Sequence, residues 1–370
     1  MNRQILIGDV MEKIKEIPDE TVDLMITSPP YLWLRDYGFE GQWGLEETID
    51  DYLDKMINFM SEVKRVIKKT GSAVVNMGDT YGGGSIHSDW SWNDPEKSKY
   101  VYSPHRRKDM QFKKTGIRKP HPQSLLFIPW QFGWRCVDEL DLTCHNIIPW
   151  IKGNAMPFSG SNRFTNKWEP VLWFTKIPSG YYFDLDAIRQ RPSCWDEKSP
   201  KRKDTTGQTK LTEGNEIKAS KQDQYPTASG TVDPTKEGFN ERWKNRKRQE
   251  QSLLRKNNHN YDSETGEYLG NPLGKNPGDV LYINPRPYPD AHYATFPVDL
   301  PEYYISCMCP ADGLVLDPFA GSGTTAEAAE KLARKWVLIE AFPGNLKLIQ
   351  KRLKPYLSGK LTEYAKTTGN

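Results

Sequence analysis

Two short stretches carry residues that could do chemistry. The first is Thr27-Ser28-Pro29-Pro30-Tyr31. Consecutive prolines fix two φ angles and remove two N–H donors. The carbonyls of such a turn stay out of an ordinary strand ladder and are free to accept hydrogen bonds. A small polar residue before the prolines and an aromatic ring after them complete a compact site for holding an amine. The second stretch is Asp317-Pro318-Phe319-Ala320-Gly321-Ser322-Gly323-Thr324-Thr325. Gly321 and Gly323 permit a tight turn and close approach of a ligand. Glu340 stands 23 residues after Asp317, where an acidic residue holds ribose hydroxyls in nucleotide-type sites. The stretch is not the six-residue dinucleotide fingerprint, and no Gly-Lys-Thr follows, which argues against a P-loop. No Gly-x-Ser-x-Gly surrounds Ser28, which argues against a hydrolase nucleophile.

The elements that must position these stretches are legible from periodicity. Val22, Leu24, Met25 and Ile26 form an apolar-rich run broken only by Asp23, a buried strand that stops at Pro29-Pro30. Ile5-Leu6-Ile7 is a short strand leading into Gly8-Asp9, and Met11, Ile14 and Ile17 recur at helical spacing. Ile49, Tyr52, Leu53, Met56, Ile57, Met60, Val63, Val66 and Ile67 mark an amphipathic helix, with Thr48 expected at its N-cap and Gly71 at C′. A strand over Ala73-Val74-Val75-Asn76-Met77 completes a βαβ unit. A helix is predicted through Val137, then strands at Ile147 to Ile151 and Val171 to Thr175. Leu314-Val315-Leu316 leads into the glycine-rich turn. An Ala-rich helix over about 325–333, a strand Trp336 to Ile339 and a last helix through Leu353 follow. This alternation predicts an α/β fold with a doubly wound, mostly parallel sheet. Residues 82–122 read as a mobile insertion, about 188–280 as a polar inserted module, and 358–370 as a tail without a pattern.

Composition narrows the class. The chain has 370 residues, no run of 18 apolar residues and five cysteines at irregular spacing. A transmembrane helix and a disulfide framework are therefore not expected. No signal peptide is recognised at Met1 to Gly8, and the expected location is cytoplasmic. Cys307, Cys309 and Cys144 read as buried thiols, with no metal. The net charge is only +3, but the basic residues are uneven. Lys236 to Lys256 holds eight Lys or Arg against three Glu, beside Trp243. That run is either a solvated face or a nucleic-acid contact.

Taken together, the two stretches resemble motifs of the S-adenosylmethionine-dependent DNA amino-methyltransferases. Thr27-Ser28-Pro29-Pro30-Tyr31 resembles their motif IV, and Asp317 to Thr325 their motif I. Motif IV precedes motif I, the permuted order of the β group. His292 to Pro297 resembles motif X. Asn146 to Lys176, with Trp150, Lys152, Pro157, Arg163, Phe164 and Glu169, resembles the motif VIII region. The resemblance implies a Rossmann-like class I methyltransferase fold, circularly permuted. Residues 1–187 would be the catalytic half, 188–280 the target-recognition insertion and 281–357 the cofactor half.

The resemblance also implies roles. Asp317 and Phe319 to Gly323 would line the methionyl and sulfonium part of S-adenosylmethionine. Thr324 and Thr325 would open the helix towards its carboxylate. Glu340 would bind the ribose, Asp9 the adenine amino group, and Thr295 and Phe296 the methionine moiety. Ser28 and the Pro29 carbonyl would draw the amino group of a flipped base towards sp³, Pro30 would complete the turn, and Tyr31 would stack on the base. Serine at this position leans towards N4 of cytosine, with N6 of adenine as the alternative. Methylation of RNA or of a protein glutamine is more distant, as is a DNA-binding protein without catalysis. Arg242, Lys244, Arg246, Lys247 and Arg248 would meet phosphates or guanine edges. The expected partner is double-stranded DNA. A cognate restriction endonuclease and a second copy of the chain are further candidates, in a restriction-modification, phage or orphan setting.

Overall fold

The structure, a computed structural model, describes residues 3–35, 37–39, 41–82, 123–155, 157–158, 161–190, 271, 273–285, 296–357 and 365–366. Contacts divide the chain into two units, Met1–Ile188 with Pro277–Asn370, and Arg189–Asn276. Thr295, His292 and the five basic residues from Arg242 to Arg248 lie outside the described residues. So do 83–122 of the first predicted insertion and 191–270 of the second.

Among the described residues, the first unit is built on one sheet of nine strands. They are β1 (Gln4–Ile7), β2 (Val22–Thr27), β3 (Ile67–Asn76), β4 (Thr143–Ile151), β5 (Trp168–Thr175), β6 (Leu281–Tyr282), β7 (Leu314–Asp317), β8 (Lys335–Glu340) and β9 (Ala365–Lys366). Their spatial order is β6-β4-β5-β3-β2-β7-β8-β1-β9. β5 runs antiparallel to both β3 and β4, and every other pairing is parallel. Strand β9 falls in the tail where the sequence shows no pattern.

Successive strand residues point to opposite faces, and each face is covered. On one side Leu6, Met25, Val75 and Val337 pack with α1 (Val10–Lys13), α2 (Ile49–Val66) and α3 (Ile128–Asp138). On the other, Ile5, Leu24, Val74 and Leu338 pack with α4 (Asp299–Met308), α5 (Thr324–Lys331) and α6 (Leu346–Leu353). Burying each such side chain contributes about 1.5–3 kcal/mol, so two layers against one sheet give a stable frame. Asp23, the polar break in β2, is buried but satisfied. Its carboxylate accepts from Lys68 Nζ at 2.8 and 2.9 Å and from the Leu314 N–H at 2.8 Å.

Helix α2 starts as expected, with the Thr48 hydroxyl accepting from the Asp51 N–H at 3.0 Å. Its end differs. Gly71 is not the C′ residue but lies inside β3. The chain turns straight from Val66 into the strand because Ile67, at the C-cap, is already extended (φ −71°, ψ 144°), so no left-handed residue is needed. Among the described residues, no helix is long and apolar enough to cross a membrane.

The connections fix where the chemistry sits. From β2 the chain winds through α2 to β3 on one side, and from β7 through α5 to β8 on the other. The winding direction therefore reverses between β2 and β7. In open α/β sheets the crevice outside the carboxyl ends of strands at that reversal is the ligand site.

Candidate active site

The two chemistry-bearing stretches leave β2 and β7 side by side. Thr27, the last residue of β2, is fully buried, and its hydroxyl donates to Asp317 Oδ1 at 2.7 Å. Thr325 Oγ1 donates to Asp317 Oδ2 at 2.5 Å, and the Phe319 N–H donates to Oδ1 at 3.1 Å. Burial pushes the Asp317 carboxyl up to about 6, against the downward pull of these bonds. Asp317 thus joins three segments of protein, and its oxygens are occupied by the fold itself. Its carboxylate is a clamp between the turn at Ser28 and the glycine-rich loop.

The glycine-rich loop is shaped by two left-handed residues, Gly321 (φ +53°) and Gly323 (φ +79°). A Cβ at Gly321 would stand in open space, whereas one at Gly323 would come within 3.1 Å of Ile349 on α6. Gly321 faces open space, whereas Gly323 permits helix packing. Arg352 on α6 holds the loop from behind. Its Nε donates to the Ser322 carbonyl at 2.9 Å, Nη2 to Ser322 Oγ at 3.1 Å and Nη1 to Glu327 Oε2 at 2.6 Å. Phe319 turns its ring into the core, edge-on to Trp43 and Phe59 with both centroid separations 5.3 Å. Thr324 and Thr325 are buried at the start of α5.

Glu340 ends β8 and is 7% exposed. Oε2 accepts from the Gly321 N–H at 2.7 Å, and Oε1 from the Phe342 N–H at 2.8 Å and Asn345 Nδ2 at 3.1 Å. Burial raises its carboxyl to about 7. Asp9 follows β1, which pairs with β8 so that Ile7 lies opposite Glu340. It caps α1, accepting from the Met11 N–H at 2.8 Å, and its Oδ2 receives Trp43 Nε1 at 3.4 Å. Asp9, Asp317, Gly321, Gly323 and Glu340 therefore gather at one end of β1, β7 and β8. Phe296 is half-buried against the core on the α4 side. Phe39, to which no sequence motif points, stacks on Phe342 with ring centroids 5.8 Å apart.

Across the crevice is the Ser28 turn. The Pro30 carbonyl accepts from Tyr52 Oη at 2.9 Å. No donor among the described residues meets the Pro29 carbonyl. Tyr31 lies half-buried with its ring against Gly78, where a Cβ would approach Cε2 to 2.5 Å. Its hydroxyl accepts from Ser28 Oγ at 3.2 Å and from Asn76 Nδ2 at 2.9 Å, and donates to Glu169 Oε2 at 3.0 Å. Asn76 Nδ2 also reaches Glu169 Oε2 at 3.1 Å. Lys152 pairs with Glu169 Oε1 and lies 4.3 Å from the Trp150 ring centroid. Burial, reinforced by the Glu169 carboxylate, holds the Tyr31 phenol well above its usual value, so it keeps its proton. In the sequence Asn76 shows only as a polar residue at the end of an apolar strand, and Glu169 only through the motif VIII resemblance, neither with a role attached.

The chain matches the family N6_N4_Mtase, described as DNA methylase, over residues 22–351. It is similar to the Type II methyltransferase M.SfiI of Streptomyces fimbriatus, at 26% identity over 399 residues, covering 91% of this chain and 87% of that protein. It is also similar to the Type II methyltransferase M.Cfr9I of Citrobacter freundii, at 26% over 347 residues, covering 94% and 86%. Among solved structures it is similar to the PvuII DNA methyltransferase (cytosine-N4-specific), with a TM-score of 0.55 and 18% identity, covering 95% of this chain and 86% of that one. At that identity the likeness is one of fold.

Proposed function

This chain belongs to the N6/N4 DNA methylase family, and from that premise we propose that its target is the N4 amino group of cytosine, held by Ser28 and the Pro29 carbonyl. The protein is an S-adenosylmethionine-dependent methyltransferase that modifies an exocyclic amino group of a DNA base, N4 of cytosine or N6 of adenine. The observation that carries the site reading is the Thr27–Asp317 bond of 2.7 Å. It ties the amine-holding turn to the cofactor loop at the point where the sheet reverses its winding.

The residues present fit the cofactor. Gly321 leaves an open cradle that a Cβ would fill. Glu340 presents a buried carboxylate at the end of the neighbouring strand, as ribose hydroxyls require. When bound, S-adenosylmethionine supplies a methyl group already activated on sulfonium. The task left to the protein concerns the amine, whose lone pair is delocalised into the base. Ser28 Oγ and the Pro29 carbonyl, which no donor among the described residues meets, would accept the two amino protons and draw the nitrogen towards sp³. Tyr31, fixed at its hydroxyl and held against Gly78, would stack on the flipped base. Such stacking contributes on the order of 1–3 kcal/mol towards unstacking.

Cytosine is favoured by serine rather than aspartate at position 28, and the PvuII enzyme of like fold is cytosine-N4-specific. We infer a cognate endonuclease from the Type II relatives, and DNA contact through Arg242, Lys244, Arg246, Lys247 and Arg248 from their charge. The test is methylation of DNA with labelled cofactor, followed by digestion to nucleosides. N4-methylcytosine is the expected product; N6-methyladenine would overturn the base assignment. Ser28→Ala should abolish turnover and leave cofactor affinity unchanged.

A further inference from the structure

The hydrogen-bonded row beside Ser28 has a direction. An ionised carboxylate can only accept. The Tyr31 hydroxyl, 3.0 Å from Glu169 Oε2, therefore donates its one proton there. The phenol oxygen can then only accept, which it does from Asn76 Nδ2 at 2.9 Å and Ser28 Oγ at 3.2 Å. Ser28 in turn spends its single proton on Tyr31, and only lone pairs remain on Oγ, one facing Asn76 Nδ2 at 3.5 Å and the other left for the target amino group. Lys152 occupies Glu169 Oε1, leaving Oε2 to the phenol and the amide. Lys152 and Tyr31 are the titratable groups that face this carboxylate, and Asn76 is neutral.

We propose that Glu169 is a positioning residue which, through Tyr31, fixes Ser28 as a pure hydrogen-bond acceptor for the target amino group, and that Ser28, Tyr31 and Glu169 carry away the proton that methylation releases. The inference rests on the placement of Ser28 at the amine. It gives a serine hydroxyl the acceptor character that a carboxylate would have at the same position. When the amino nitrogen gains the methyl group, the N–C bond forms as the S–CH₃ bond breaks, and the electron pair stays on sulfur. The nitrogen then carries one proton too many. That proton passes to Ser28 Oγ as Ser28's own proton moves to the Tyr31 oxygen and Tyr31's to Glu169 Oε2. The neutral Glu169 carboxyl, whose side chain is 24% exposed, returns the proton to water.

The test is single-turnover kinetics on Glu169→Gln and Tyr31→Phe. Glutamine keeps the shape but can donate to Tyr31, which lets the row reverse; phenylalanine keeps the ring and removes the relay. Each should slow methyl transfer about 10- to 100-fold, the worth of one hydrogen bond to a charged group. The double variant should be no slower than the worse single one. Cofactor affinity by calorimetry, KM for DNA and base flipping seen by 2-aminopurine fluorescence should each change less than about threefold. If both single variants transfer at near the wild-type rate while Ser28→Ala is inactive, the row is refuted and the Ser28 assignment survives. If Ser28→Ala is itself active, the underlying placement fails. Losses that simply multiply in the double variant also refute the row. Should Glu169→Gln fail to fold, Tyr31→Phe decides: a near wild-type rate refutes the relay, and a slowed rate with unchanged flipping supports it.

Discussion

Gly321 and Gly323 lie two residues apart in one loop, yet alanine at each should do different damage. Both have positive φ, so each alanine incurs left-handed strain of about 1–2 kcal/mol. At Gly323 the new Cβ would also press on Ile349 Cγ2 at 3.1 Å and Cγ1 at 3.3 Å. Ile349 is fully buried and has little room to yield, which adds about 1–3 kcal/mol of overpacking. Gly323→Ala should therefore cost about 2–5 kcal/mol of stability, and Gly321→Ala about 1–2 kcal/mol. Cofactor binding should reverse the ranking. The Gly321 methyl would project into the open cradle, and affinity should fall at least tenfold, about 1.4 kcal/mol. Urea unfolding and titration calorimetry on both purified variants give the four numbers. Equal stability losses would refute the packing argument. Unchanged affinity in Gly321→Ala would refute the position assigned to the cofactor.

Four further outcomes rest on the same geometry. Burial raises Glu340 to about 7 and Asp317 to about 6, above unfolded values near 4. The folded state thus holds these protons more tightly, so the stability they contribute is complete below about pH 4 and is lost as pH rises through about 6–7. Urea midpoints of the cofactor-free enzyme should fall across that window. Cofactor affinity should move the opposite way, weakening about tenfold per unit below about pH 7, because ribose hydroxyls need an ionised Glu340; a flat calorimetric profile would exclude that role. Thr27→Val removes a hydrogen bond to a buried carboxylate and should cost about 1.5–3 kcal/mol in thermal unfolding, with turnover falling more than either affinity. Arg352→Met frees Ser322 and should weaken cofactor binding without changing the methylated base found by nucleoside analysis.

What the sequence made legible was local. The i, i+3, i+4 pattern from Ile49 to Val66 and the apolar runs of β2, β3, β7 and β8 follow from periodicity, and the Ser28 turn and glycine loop follow from residue type. What it concealed depends on pairing across long separations. Glu169 reaches Asn76 only because β5 runs antiparallel to β3, with Asn76 opposite Val171. Glu169, two residues further along, then shares a face with Asn76. No sequence window links positions 93 residues apart. The same holds for Asp317. Its place in a cofactor-like motif suggests a ligand contact, and the bond from Thr27, which crosses 290 residues, adds a clamp that no local pattern shows. The two glycines also look alike in sequence, and only Ile349, brought in by α6, tells them apart.

The strand order sets a timetable for a chain made from its N-terminus. β2, β3, β5 and β4 are neighbours in space and are all synthesised early, so that half of the sheet can pair while translation continues. β1 cannot. Its neighbours are β8 and β9, and it waits on the order of 15–65 s for β8 at about 5–20 residues per second. Through that interval Thr27 has no Asp317 to meet, and Ser28 has no cofactor loop facing it. A chain still on the ribosome, or one ended early, would hold the Ser28 turn without the glycine-rich loop beside it. Methylation of DNA would then begin with finished molecules, at a delay fixed by how far apart the two halves are encoded.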